Sequence, residues 1–158
     1  MIVIDKDFIE PVILKARLSE RKRTNYNFHE VMEDTLQRML NVLNTGTYVR
    51  PHKHENPDKR EAFVILEGRV AVVEFNNQGV PVQCIILDIR NKVYGCEIAA
   101  GKWHTIICLE DNSVLYEVKD GPYHALSDKN FAPWAPAEGN AEALDYMEKL
   151  LKQINKLS

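Results

Sequence analysis

Two histidines one residue apart, His52 and His54, stand in the stretch RPHKHENPDKRE, with Glu61 closing it and His104 following later in GKWHT. In a strand, side chains at i and i+2 leave the same face, so both imidazoles can aim at one point. Glu61 on the returning strand offers a third ligand and His104 a fourth. Three imidazoles and one carboxylate suit one divalent transition metal such as zinc, iron, manganese or nickel. Octahedral coordination leaves two positions for water or substrate oxygens, whereas four-coordinate zinc leaves none and is structural. A lone HxH arises often by chance, and each residue has a plain alternative. His52 and His54 could decorate an exposed strand, His104 could be a core histidine beside Trp103, and Glu61 competes with Glu55 for the ligand role. Arg50, Lys119 and Arg38 are cations able to bind a carboxylate or phosphate, with surface ion pairs as the alternative. Tyr48 and Tyr123 are candidate acids or hydrogen-bond donors. No Ser-His-Asp arrangement, nucleotide-binding glycine loop or acid/base carboxylate pair can be read.

The elements that must position these groups are mostly strands. Phe63–Leu66, Val70–Phe75, Val82–Ile89, Val93–Ile98, Thr105–Leu109 and Val114–Val118 are short apolar or alternating runs separated by polar turns. That spacing predicts a sandwich or barrel. The segment 35–45 fits helix or strand, and the Thr45-Gly46 break favours strand. Tyr48, Arg50, His52 and His54 share one face of the HxH strand, so an inward-looking face puts Tyr48 and Arg50 in the same cavity as the metal. Leu115, Glu117 and Lys119 share one face of the last strand. Residues 5–22 carry Phe8, Ile9, Val12, Ile13 and Ala16 at helical spacing, capped by Asp5 or Asp7, with Pro11 tolerable only in the first turn. Lys15, Arg17, Arg21, Lys22 and Arg23 end that helix as a solvated basic face, or alternatively as an anion site. TNYNFHE (24–30) reads as a loop able to cover a barrel mouth, with His29 structural. In the segment from Ala141 on, Ala141, Leu144, Met147, Leu150, Leu151, Ile154 and Leu157 make an apolar stripe that docks on the chain's own sheet, a homodimer contact being the alternative. The expected layout is one domain over 1–158: helix and loop 1–34, barrel 35–119, Pro/aromatic loop 120–140 and C-terminal helix 141–158.

At 158 residues and 45% hydrophobic, the chain can bury one substantial core. A net charge of −3 argues against a general nucleic-acid binder. No apolar run approaches the roughly 20 residues of a membrane span. The N-terminus lacks the basic-then-apolar pattern of a secretory signal. Three cysteines without CxxC spacing give no disulfide framework, so a reducing cytoplasm is the expected setting.

The pattern Gly46, His52-x-His54, Glu61, Gly68, then Gly101-x-x-His104 is similar to the two-part signature of the cupin superfamily. It departs in the longer gap between His54 and Glu61, in Ala99 where the signature has proline, and in Cys108 where it has asparagine. The gap ENPDKR reads as an enlarged hairpin turn. In finer detail, NYNFH (25–29), QRML (37–40), YVRPHKH (48–54), GKWHT (101–105), YEVKDGPY (116–123) and FAPWAPAEG (131–139) together resemble the WbuC family of cupin-fold metalloproteins. The resemblance implies a double-stranded β-helix (a jelly-roll barrel) with a bound metal, and an association with bacterial surface polysaccharides. The expectation is a metal-binding cupin that acts on or binds a small molecule, a sugar derivative. As an enzyme it would be a metal-dependent isomerase or epimerase, or an iron oxygenase. The alternative is a non-catalytic sugar-binding or accessory protein with a structural metal.

Overall fold

Helix α1 (Lys6–Leu18) begins where the Asp5 side chain accepts a hydrogen bond from the Phe8 amide at 3.0 Å, satisfying a donor the helix itself leaves open. It ends at Ser19, which is extended, so Arg21, Lys22 and Arg23 lie beyond it rather than in its last turn. Pro11 sits in the second turn, exposed, not in the first. The computed structural model describes residues 1–124 and 128–155. Leu157, expected on the C-terminal stripe, lies outside the described residues.

Among the described residues ten strands follow: β1 (Arg23–Asn27), β2 (Leu36–Leu43), β3 (His52–Lys53), β4 (Glu61–Glu67), β5 (Val70–Phe75), β6 (Pro81–Leu87), β7 (Gly95–Ile98), β8 (Trp103–Cys108), β9 (Ser113–Asp120) and β10 (Asn130–Phe131). They form two antiparallel five-stranded sheets, ordered β1-β2-β9-β4-β7 and β10-β3-β8-β5-β6. This is a two-sheet jelly-roll arrangement. Two expectations fail locally. TNYN is not loop but strand, paired with β2 from Arg23↔Leu43 to Asn27↔Met39. The HxH strand is only two residues long, and Gly46–Pro51 approaches it without strand pairing.

The inward faces of the strands share one gradient. β4 presents Glu61, then Phe63, then Ile65; β9 presents Lys119, Glu117 and Leu115; β8 presents His104, Ile106 and Cys108. Register aligns these rows, with Glu61 opposite Lys119, Phe63 opposite Glu117 and Ile65 opposite Leu115. One end of the barrel is therefore charged. The other end is closed by a core that includes Leu43, Ile65, Val70, Leu87 and Leu115. Burying each such aliphatic side chain stabilises the fold by about 1.5–3 kcal/mol.

The outer faces carry the helices. Ile9, Val12, Ile13 and Ala16 of α1 pack on Leu40, Val42 and Val114 of the first sheet. Helix α2 (Glu142–Ile154) lays Leu150 and Ile154 on Ala71, Val73 and Ile107 of the second. Its docked face is offset from the expected stripe, since Ala143 is buried and Leu144 stays exposed. Among the described residues no helix is long and apolar enough to cross a membrane.

Candidate metal centre

His52 and His104 are direct partners across β3 and β8, which places their ring centroids 4.5 Å apart. His54 follows β3, and its carbonyl accepts the Gly101 amide at 3.0 Å, tying the GKWH turn to the HxH segment. Glu61 opens β4. The ligand-type atoms of His52, His54, Glu61 and His104 all lie within 4.8 Å of one another, and all four residues are buried. The long gap before Glu61 is thus accommodated, while Glu55 turns away to pair with Lys53.

Each ring is oriented by a backbone carbonyl at Nδ1: Arg50 for His52 at 3.0 Å, Lys102 for His104 at 2.9 Å, and Asp128 for His54. A carbonyl only accepts, so each Nδ1 carries the hydrogen and each neutral ring keeps a lone pair at Nε2. His54 Nε2 is buried without a hydrogen-bond partner, and His104 Nε2 has only Glu61 Oε1 beside it. Acceptors crowded together out of water are unfavourable unless a cation joins them. The donor set therefore fits a metal ion.

Electrostatics agrees. Burial, reinforced by the Lys129 charge, holds His52 well below the usual imidazole range. Burial opposes charge on Glu61, yet His104 and His54 hold its carboxyl well below the usual range. Burial works against the His104 imidazolium, but the Glu61 carboxylate raises it above its ordinary value. Without a metal, His104 and Glu61 share a proton that a metal must displace.

His52, Glu61 and His104 form part of the wall of a cavity of about 540 Å³. Lys119 and Tyr123 line it too, as does Glu117. Lys119 is committed: its ammonium lies 2.7 Å from Asp128 Oδ2, and Lys59 lies 2.7 Å from Oδ1 of the same carboxylate. Burial disfavours the Lys119 charge, but Glu117 and Asp128 raise its value above the usual range.

The other three polar candidates lie elsewhere. Tyr48 donates to the Pro136 carbonyl at 2.9 Å. Arg50 donates to the Ala132 carbonyl at 2.8 Å and stands 5.3 Å over the Phe131 ring. Arg38 pairs with Asp34 at 3.3 Å. Between Tyr48 and Arg50 it is Val49 that faces the cavity, so its two neighbours point to the 131–136 segment.

Five participants were not singled out as site residues from sequence: Glu117, Asn41, Asp128, Lys59 and Lys129. Glu117 shares a face with Lys119 on β9, which was a usable signal. Asn41 donates to its Oε2, and burial, with the Glu61 charge adding, pushes its carboxyl above the usual range. Asp128, Lys59 and Lys129 are brought in only by the fold. Lys59 belongs to the ENPDKR gap, so that insertion is more than a solvated turn. His29 Nδ1 sits between the amide and carbonyl of Arg38, at 3.2 and 3.1 Å.

Known proteins give a consistent fold. A family model described as "Domain of unknown function (DUF6016)" matches residues 4–87. No curated protein matches the chain. Among solved structures, the chain is similar to CapF, a capsular polysaccharide assembling protein from Staphylococcus aureus, at 19% identity and a TM-score of 0.53, over 68% of this chain and 28% of that one. KdgF from Halomonas sp. aligns at 14% identity and 0.50, over 65% of this chain and 82% of that one. Oxalate decarboxylase from Bacillus subtilis aligns at 18% and 0.51, over 66% and 26%. At these identities the likeness establishes the cupin fold. The aligned region spans less than a third of CapF and of oxalate decarboxylase.

Proposed function

The chain belongs to the family described as "Domain of unknown function (DUF6016)", and because that description names no chemistry, we propose from the cavity itself that this is a metal-dependent cupin that takes up and acts on a small sugar derivative. One observation carries the reading: the ligand-type atoms of His52, His54, Glu61 and His104 converge within 4.8 Å of one another, and three of these buried residues line a cavity. His52, His54, His104 and Glu61 would hold one divalent transition metal, with zinc, iron, manganese and nickel as the candidates. Such an ion supplies Lewis-acid polarisation of a carbonyl or hydroxyl.

The chain's own groups do the rest. Asn41 fixes the Glu117 carboxyl through Oε2, and the raised proton affinity of Glu117 suits it to exchange a proton with a ligand hydroxyl. Met39, Phe63 and Ile106 supply apolar wall against which a sugar ring can lie. Isomerisation or epimerisation is the reaction class that uses these parts; an iron-dependent oxygenase is the variant. The sugar assignment is supported by the WbuC-like motifs RPHKH and FAPWAPAEG and by the capsular-polysaccharide description of one structural neighbour.

The test is a panel of monosaccharides incubated with metal-loaded and chelated protein. Metal-dependent conversion that is lost in His52→Ala is the expected result. Binding that is equally strong with and without metal, and no conversion, would establish the non-catalytic alternative with a structural ion.

A further inference from the structure

We propose that the cavity is built for an anionic ligand, a sugar bearing a carboxylate or phosphate, and that Lys129 receives the negative group. The inference rests on the metal-cavity reading above and deepens it.

Among the described residues four cations line the cavity: Arg21, Arg23, Lys119 and Lys129. Three are occupied. Arg21 and Arg23 both pair with Glu138, and Lys119 pairs with Asp128. Among the described residues Lys129 makes no ion pair. Lys129 is itself exposed and forms part of the cavity wall. Lys129 lines the same cavity as His52, His104 and Glu117.

Its position is fixed from both sides. The preceding residue, Asp128, is held by Lys59 and Lys119 through its carboxylate and by His54 through its carbonyl. The following residue, Asn130, is paired with Lys53 and donates to the Glu55 carbonyl at 2.8 Å. An ammonium placed in this way on the cavity wall is left without a counter-ion among the described residues. The nearby carboxylates cannot relieve it. Glu61 belongs to the metal cluster, and Glu117 is held by Asn41. A ligand anion can, through a charge-assisted hydrogen bond. The volume of about 540 Å³ falls within the range of small-molecule sites.

Carboxylate and phosphate share this chemistry, and the test separates them. Metal content of the purified protein is measured first. Calorimetric titration then compares glucose, gluconate and glucose 6-phosphate on the metal-loaded protein, Lys129→Met and Lys129→Arg. The expected result is at least one anion binding tenfold or more tighter than glucose, a preference erased in Lys129→Met and kept in Lys129→Arg. Gluconate preference identifies a carboxylate ligand, and glucose 6-phosphate preference a phosphate. Circular dichroism of both variants guards against misfolding, and Lys129→Arg keeps the comparison valid if Lys129→Met unfolds. The inference is overturned if neither anion outbinds glucose, or if the preference survives Lys129→Met. A protein that takes up metal and shows no anion preference refutes this inference alone. A protein that takes up no metal refutes the preceding reading, whatever Lys129 does.

Discussion

Asp128 illustrates how much one side chain can organise. Its carboxylate neutralises two buried ammonium groups, and its carbonyl sets the tautomer of His54. Removing its charge leaves Lys59 and Lys119 buried without a counter-ion. Asp128→Asn should therefore lose about 3–5 kcal/mol in urea unfolding, the cost of breaking a buried pair from one side. Adding Lys119→Met to that variant should recover part of the loss. At the metal centre, His104→Ala should weaken metal affinity more than about a hundredfold, beyond the effect of losing an outer partner. The pH dependence has a definite sign. Glu61 raises His104 above the ordinary imidazole value, so protons compete with metal through and above that range. Metal affinity should fall as pH drops and level off at high pH, as read by competition with a chromophoric chelator. The clustering of these four residues was legible in the sequence because their spacing is local or follows strand geometry. Asp128 was not, since its lysine partners lie 69 residues and 9 residues away and no local pattern joins the three. Tyr48 and Arg50 misled for the opposite reason: strand alternation was applied where the chain is not a strand.

Among the elements, the apolar strands announced themselves and β1 did not. Its residues Arg23, Thr24, Asn25 and Asn27 line a polar cavity, so the usual contrast between apolar inside and polar outside is absent there. A strand facing a binding cavity reads as a loop when judged by hydropathy alone. Helix α2 shows the same limit on a smaller scale, because its docked face is chosen by the shape of the second sheet and leaves Leu144 outside. The turn between β4 and β5 was easier to place, since Gly68 belongs to the cupin-like spacing. Its φ is +76°, and a Cβ there would lie 2.7 Å from the Ser113 Cα. Gly68→Ala should cost about 1–3 kcal/mol from backbone strain alone, with the steric clash adding to it. The midpoint of urea unfolding measures it, and an unchanged midpoint would contradict the register given for this turn.

For the whole molecule, the gradient along the barrel axis explains why fold and site come together. The apolar end supplies the burial that stabilises the sheets, which lets the other end hold charged groups that would be unfavourable on their own. Cations that join His52, His54, His104 and Glu61 bind the folded chain and not the unfolded one, so metal should raise the melting temperature in a concentration-dependent way and chelation should lower it. The central claim is that four distant side chains converge on one cation at the wall of a barrel cavity. Anomalous diffraction at the metal edge, on crystals grown from protein purified without chelators, tests it most directly. The account predicts one peak per chain, within bonding distance of the three Nε2 atoms and a Glu61 oxygen. A peak elsewhere, or no peak in crystals soaked with excess metal and a closed His104–Glu61 ion pair in its place, would contradict it.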